Sequence, residues 1–214
     1  MIVNDRITAY IQSLDKGNGS VCDRIEEEAL AARVPIIRKE TAALLKTLVA
    51  AKRPERILEV GTAVGYSALL MAQAMPRDCH ITTIEKYEKR IPIARENFKR
   101  AGMEEAITLL EGDAEEILQT LSGPYDFIFM DAAKGQYMHW LPSILSLLPK
   151  GGILLSDNVL QDGDIIESRY AVERRNRTIH ARMREYLYTL THSEELETAI
   201  VPIGDGAAIS VKRG

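Results

Sequence analysis

The sequence predicts an α/β fold, a parallel sheet with helices on both faces and a closing hairpin. Three observations carry that expectation. From Arg56 onward the chain alternates short apolar runs, each ending in glycine or an acidic residue, with helix-length amphipathic segments. The runs are nearly continuous in β-branched and aromatic residues rather than strictly alternating, as strands buried on both faces require. The last apolar runs flank Gly204-Asp205-Gly206, and a glycine-containing turn between such runs reverses the chain at low cost.

Val3, Ile7, Ile11 and Leu14 fall at helical spacing over 3–14, and the polar stretch Lys16–Ser20 breaks the pattern. A second helix is expected over about 23–33, interrupted by Pro35, and a third over Thr41–Val49 with Leu44, Leu45, Leu48 and Val49 on one face. Residues 1–52 therefore read as a helical extension of a single domain, 1–214. The expected strands are Arg56–Val60, Ile81–Glu85, Ile107–Glu111, Tyr125–Met130 and Gly152–Ser156. Helices are expected at Tyr66–Met75, 88–101 closed by Gly102, Glu115–Leu121, 136–148 and, long and charged, 166–191. Pro92 falls in a first turn, where backbone N–H groups lack helical partners, whereas Pro142 is expected to kink or split its helix.

Hydrophobic residues at 46% and charged residues at 27% fit a globular chain and exclude disorder and fibrous repeats. A net charge of −4 excludes a protein that coats nucleic acid over its whole surface and leaves room for a local basic patch. Cys22 and Cys79 have no metal-type spacing, so a reducing compartment is expected. No stretch approaches the roughly 18 apolar residues of a membrane span, and the expectation is a soluble cytoplasmic protein.

In an open parallel sheet, ligands bind beyond the carboxyl ends of the strands, so the residues there matter most. Gly61 and Gly65 follow the first run and allow a tight turn close to a ligand, but Ala63 stands where the dinucleotide fingerprint needs its second glycine. Glu85 ends the second run, where a carboxylate can accept from both ribose hydroxyls of NAD or of S-adenosylmethionine. Asp113 could accept an adenine amino proton while Ala114 leaves room for the ring; equally, such acids cap helices. Taken in strand order, they favour a nucleoside pocket.

Asp131 follows the fourth run, and Asp157 with Asn158 follows the fifth. Their oxygens form a hard donor set, suited to Mg²⁺, Mn²⁺ or Ca²⁺ and poor for zinc. A cation there would lower the pKa of a bound hydroxyl, and Lys134 close by could take its proton. The plain alternatives are a turn pair for Asp157-Asn158 and a solvated amine for Lys134.

At these residues the sequence resembles the class I cation-dependent O-methyltransferases, the group of catechol and caffeoyl-CoA O-methyltransferases. The matching stretches are Leu58-Glu-Val-Gly-Thr-Ala-Val-Gly-Tyr-Ser67, Thr83-Ile-Glu85, Gly112-Asp-Ala114, Phe129-Met-Asp-Ala-Ala-Lys134, Ser156-Asp-Asn158 and Pro202-Ile-Gly-Asp-Gly206. The resemblance implies a Rossmann-like, seven-stranded, mostly parallel sheet with a C-terminal antiparallel hairpin, S-adenosylmethionine as methyl donor, Mg²⁺ or another hard cation, and a homodimer. By position it implies Glu59, Gly61 and Ser67 at the methionine end, Glu85 at the ribose, Asp113 and Ala114 at the adenine, and Ile37 before the sheet. It further implies Asp131, Asp157 and Asn158 as metal ligands, Asp131 also as a cofactor-binding and catalytic residue, and Lys134 as catalytic base.

Residues 169–184 hold Arg169, Arg174, Arg175, Arg177, Arg182 and Arg184 against Glu173 alone, a local excess of five positive charges. Arg174-Arg175-Asn176-Arg177 resembles the bacterial tRNA 5-hydroxyuridine methyltransferases, which implies RNA contacts at Arg174, Arg175 and Arg177 and a tRNA anticodon loop as partner. The alternatives are a solvated helix on an enzyme acting on a catechol-like small molecule and, from another class, an NAD-dependent oxidoreductase.

Overall fold

The computed structural model describes residues 3–168 and 170–214. Three helices, α1 (Asp5–Ser13), α2 (Ser20–Ala31) and α3 (Lys39–Lys52), precede β1 (Arg56–Val60). Strand and helix then alternate through α4 (Tyr66–Ala74), β2 (His80–Glu85), α5 (Ile91–Arg100), β3 (Ile107–Glu111), α6 (Ala114–Thr120), β4 (Phe127–Met130), α7 (Tyr137–Leu147) and β5 (Ile153–Ser156). The chain closes with α8 (Arg177–His192), β6 (Leu196–Val201) and β7 (Ala207–Lys212).

The seven strands lie in the order β3-β2-β1-β4-β5-β7-β6. Six run parallel, and β7 lies antiparallel between β5 and β6. Successive strand residues face opposite sides of the sheet, and both sides are apolar here. Ile57, Phe127, Phe129 and Leu155 pack into one core with α2 to α5. Leu58, Val60, Ile128, Met130 and Leu154 pack into the other with α6, α7 and α8. The β1–β4 pairing sets Val60 beside Met130, and the β4–β5 pairing sets Met130 beside Ser156, so the residues that follow these three strands emerge together. No helix among the described residues is long and apolar enough to cross a membrane.

Two helical expectations need correction. Pro142 neither splits nor ends α7, which runs continuously over Tyr137–Leu147. Pro142 is exposed, so the carbonyl it leaves unpaired can be hydrated, while Trp140, Leu141, Ile144 and Leu147 keep the helix anchored. The long helix over 166–191 is instead α8 preceded by two short 3₁₀ turns, Gln161–Ile166 and Arg174–Asn176. Glu167 is extended and Glu173 non-helical, and the Ser168 hydroxyl accepts from the Ala171 N–H at 3.3 Å, a local bond that competes with helix.

Candidate active site

A cavity of about 660 Å³ runs along the carboxyl ends of β1 to β5. Ile37, Gly61, Ser67, Glu85, Asp113, Ala114, Asp131, Lys134, Asp157 and Asn158 all line it, so all but one of the residues expected at a cofactor, metal or base site share one cavity. Glu59 does not line it and is fully buried beneath. The Ser67 hydroxyl donates to Glu59 at 2.5 Å and the Thr83 hydroxyl donates to its other oxygen, while burial pushes the carboxyl up from its ordinary pKa. Glu59 therefore orients Ser67 at the cavity wall.

The turn after β1 is shaped by its glycines. Gly61 has φ +92°, and a Cβ there would meet the Asp131 carbonyl oxygen and lie 3.0 Å from the Ala132 Cβ. At Gly65, with φ +85°, a Cβ would fall 2.6 Å from the Phe98 ring. Both positions need glycine for conformation and for close approach. Ala63 also has a positive φ of 49°, and its N–H donates to Glu85 at 2.8 Å. The Tyr87 N–H donates to the other Glu85 oxygen at 2.8 Å. Glu85 thus pins the turn after β1 and still has lone pairs free toward the cavity. This second duty is invisible in the sequence, because it depends on β1 and β2 being neighbours.

Asp113 is the N-cap of α6, accepting from the Glu115 N–H at 2.9 Å, and its other oxygen lies 3.3 Å from Lys86 Nζ. The backbone bond first, then Lys86, holds its carboxyl below the ordinary range. The capping and lining roles coexist in one side chain.

At the opposite end stand Asp131 and Asp157, the latter only 2% exposed. Burial, followed by the charge of Glu59, raises the Asp131 pKa; burial, followed by the charge of Asp131, raises that of Asp157. Asp157 is buried and Asp131 half-buried, and the ionised form of each is disfavoured, a condition that a hard dication would relieve. Asn158, with φ +59°, supplies an amide at the same wall. Among the described residues no group of three or more His, Cys, Asp or Glu is placed to hold a metal. Lys134 Nζ lies 3.8 Å from Asp205, whose carboxylate is also 3.1 Å from Arg38. Arg38 further pairs with Asp162 at 2.9 Å, so it clasps the loop before α3, the segment after β5 and the β6–β7 turn. Neither Arg38 nor Asp205 stands out in the sequence: the Gly-Asp-Gly motif is visible there as a turn, but only the fold carries that turn to the cavity.

Arg174 and Arg175 are exposed, with Arg175 paired to Glu173 at 2.7 Å. Arg177 instead donates to the Val172 and Tyr170 carbonyls, Arg182 to Gly135 and Arg184 to Ile165. Half of the apparent basic patch thus ties segments together, and Arg169 lies outside the described residues.

Comparison with known proteins agrees with this architecture. The O-methyltransferase family model matches residues 24–213. A caffeoyl-CoA O-methyltransferase of Populus kitakamiensis is 31% identical, covering 82% of this chain and 76% of its own. A catechol O-methyltransferase of Niastella koreensis is 36% identical over 53% of each chain. The crystal structure of the SAH-bound Podospora anserina methyltransferase PaMTH1 superposes with a TM-score of 0.87 at 28% identity, covering 98% of this chain and 95% of that one. With the family model matching nearly the whole chain, the chain belongs to the O-methyltransferase family.

Proposed function

We propose that the chain transfers a methyl group from S-adenosylmethionine to a hydroxyl oxygen that neighbours a second oxygen, assisted by Mg²⁺ or a similar divalent cation. The observation that carries this reading is one cavity with nucleoside-type groups, Glu85, Asp113 and Ala114, at one end and Asp131 and Asp157 with Lys134 at the other. The S-adenosylhomocysteine bound to PaMTH1, a relative of the same fold, supports the choice of donor. Ser67 and the backbone near Gly61 would hold the methionine part and Glu85 the ribose. Asp131, Asp157 and Asn158 would hold the cation, which when bound acidifies the acceptor hydroxyl and fixes its position. As the neutral amine, Lys134 Nζ at the cavity wall, 3.8 Å from Asp205, would receive the hydroxyl proton. The remaining residues act by placing acceptor oxygen and methyl carbon in line, so much of the rate comes from positioning.

For the acceptor we take 5-hydroxyuridine at the wobble position of a tRNA, whose 5-hydroxyl and 4-carbonyl form such an oxygen pair. The supporting observation is Tyr170, 85% exposed, with the Arg177 guanidinium 5.9 Å from its ring centroid and the exposed Arg174 and Arg175 following in the same segment. An aromatic face beside arginines suits a stacked base and its backbone, and exposed single-stranded bases can enter a pocket. That segment is tied to the site through α8, whose Arg182 donates to Gly135, next to Lys134, at 2.9 Å. The second reading is a catechol-like small molecule, favoured by the catechol and caffeoyl-CoA relatives named above. Labelled methyl transfer to hypomodified tRNA and to catechols decides between them: transfer to tRNA supports the first, and transfer to catechols alone overturns it. The homodimer implied by the resemblance is likewise a proposal, and sedimentation of the purified chain as a monomer at micromolar concentration would refute it.

A further inference from the structure

Tyr137 opens α7, is fully buried, and is three residues beyond Lys134. Its hydroxyl accepts from the Ala132 N–H at 3.2 Å and faces two carbonyls, Met130 at 3.0 Å and Asp157 at 3.3 Å. A phenol has one proton to give, so the two carbonyls share it, with Met130 the nearer. The three partners matter by their place. Met130 and Ala132 bracket Asp131, and the third belongs to Asp157 itself, so one side chain ties the backbones that carry both acidic donors. The ring is held in turn by an edge-on contact with Tyr186, centroids 5.5 Å apart, and Tyr186 is bonded to the Ser156 hydroxyl at 2.6 Å.

We propose that Tyr137 is a positioning residue for the cation site, fixing the spacing of the Asp131 and Asp157 carboxylates through the backbone groups beside them. This rests on the cation reading given above. The buried hydroxyl touches none of the reacting groups, so its contribution lies in metal affinity and not in cofactor binding. Loss of such a supporting hydrogen bond typically lowers metal affinity by about 10- to 100-fold.

The test compares Tyr137→Phe with Tyr186→Phe in the full-length chain. Each variant removes one buried phenolic hydroxyl from the same aromatic pair, but only the first cuts the tie between the two strand ends. Mn²⁺ affinity is read by electron paramagnetic resonance and S-adenosylhomocysteine affinity by calorimetry. The expected result is a Mn²⁺ dissociation constant raised at least about tenfold in Tyr137→Phe and changed less than about twofold in Tyr186→Phe, with cofactor affinity retained in both. A Tyr137→Phe variant that binds Mn²⁺ as wild type does, or an equal loss in both variants, overturns the positioning role. Wild-type protein that fails to bind Mn²⁺ overturns the cation reading instead, and the inference with it. Should Tyr137→Phe not fold, hydrogen exchange on wild type still decides: the Ala132 amide should be protected like those of β4, and exchange at an open-loop rate refutes the tie.

Discussion

Replacing Gly61 with alanine separates the two reasons a glycine stands beside the acidic end of the cavity. The residue sits at φ +92°, and an added Cβ would press on the Asp131 carbonyl oxygen and lie 3.0 Å from the Ala132 Cβ. Left-handed backbone costs a residue with a side chain about 1–2 kcal/mol. Overpacking against backbone that cannot swing aside adds about 1–3 kcal/mol. Gly61→Ala is therefore expected to lose about 2–5 kcal/mol of stability, measured by urea denaturation. Gly151 provides the control, because its φ is +71° but a Cβ there meets nothing within 4 Å. Gly151→Ala should lose only the backbone share, about 1–2 kcal/mol. Since the clash falls on the residue that carries an acidic donor, Gly61→Ala should also weaken Mn²⁺ binding in the protein that remains folded, whereas Gly151→Ala should not. Equal destabilisation by the two substitutions, or unaltered Mn²⁺ binding in Gly61→Ala, would refute the reasoning that close approach to Asp131 is what demands glycine.

Three further outcomes follow from the same geometry. Lys134→Met should lower turnover by about 10²- to 10⁴-fold while Mn²⁺ affinity stays within a few-fold, and a wild-type rate in a steady-state assay would remove Lys134 as the base. Because folding raises the pKa values of Asp131 and Asp157, their protonated forms favour the native state. In metal-free protein that contribution is complete below the unfolded value of about 4 and is lost as pH rises toward neutrality. Thermal melts without divalent ions should therefore fall across that window and the fall should be reduced by Mg²⁺; melts with the same pH profile in EDTA and in Mg²⁺ would contradict the pairing. Arg38→Gln breaks a clasp that is partly open to solvent on the Arg38 and Asp162 side, so it should cost no more than about 1 kcal/mol of stability yet raise the acceptor KM, and an unchanged KM would show that the clasp does not shape the acceptor end.

The parallel core was legible because its strands are buried on both faces and announce themselves as unbroken apolar runs. Glu85, Asp131 and Asp157 were legible as candidates because a polar residue at the carboxyl end of such a run stands where a parallel sheet opens to its ligand. Relationships across the sheet were not legible. That Glu85 grips the Ala63 amide, that Glu59 accepts from the Thr83 hydroxyl, and that Asp205 reaches Lys134 all depend on which strands are neighbours. Around residues 166–176, charge density suggested helix, but Ser168 satisfies a nearby amide with its own hydroxyl and two non-helical glutamates open the chain. Composition carries no trace of that competition. The arginines show the same limit, since their number predicts a patch while their bonds to the Val172, Gly135 and Ile165 carbonyls assign several of them to holding the fold.

The proposed reaction requires one cavity to bring a sulfonium methyl and an acid-held cation to the same acceptor oxygen. Crystals grown with S-adenosylhomocysteine and Mn²⁺, with the metal located by anomalous scattering, test it most directly. Mn²⁺ should be coordinated by Asp131, Asp157 and Asn158, with the ribose on Glu85 and the sulfur facing the metal. Mn²⁺ bound elsewhere, or a sulfur turned away from those three residues, would contradict it.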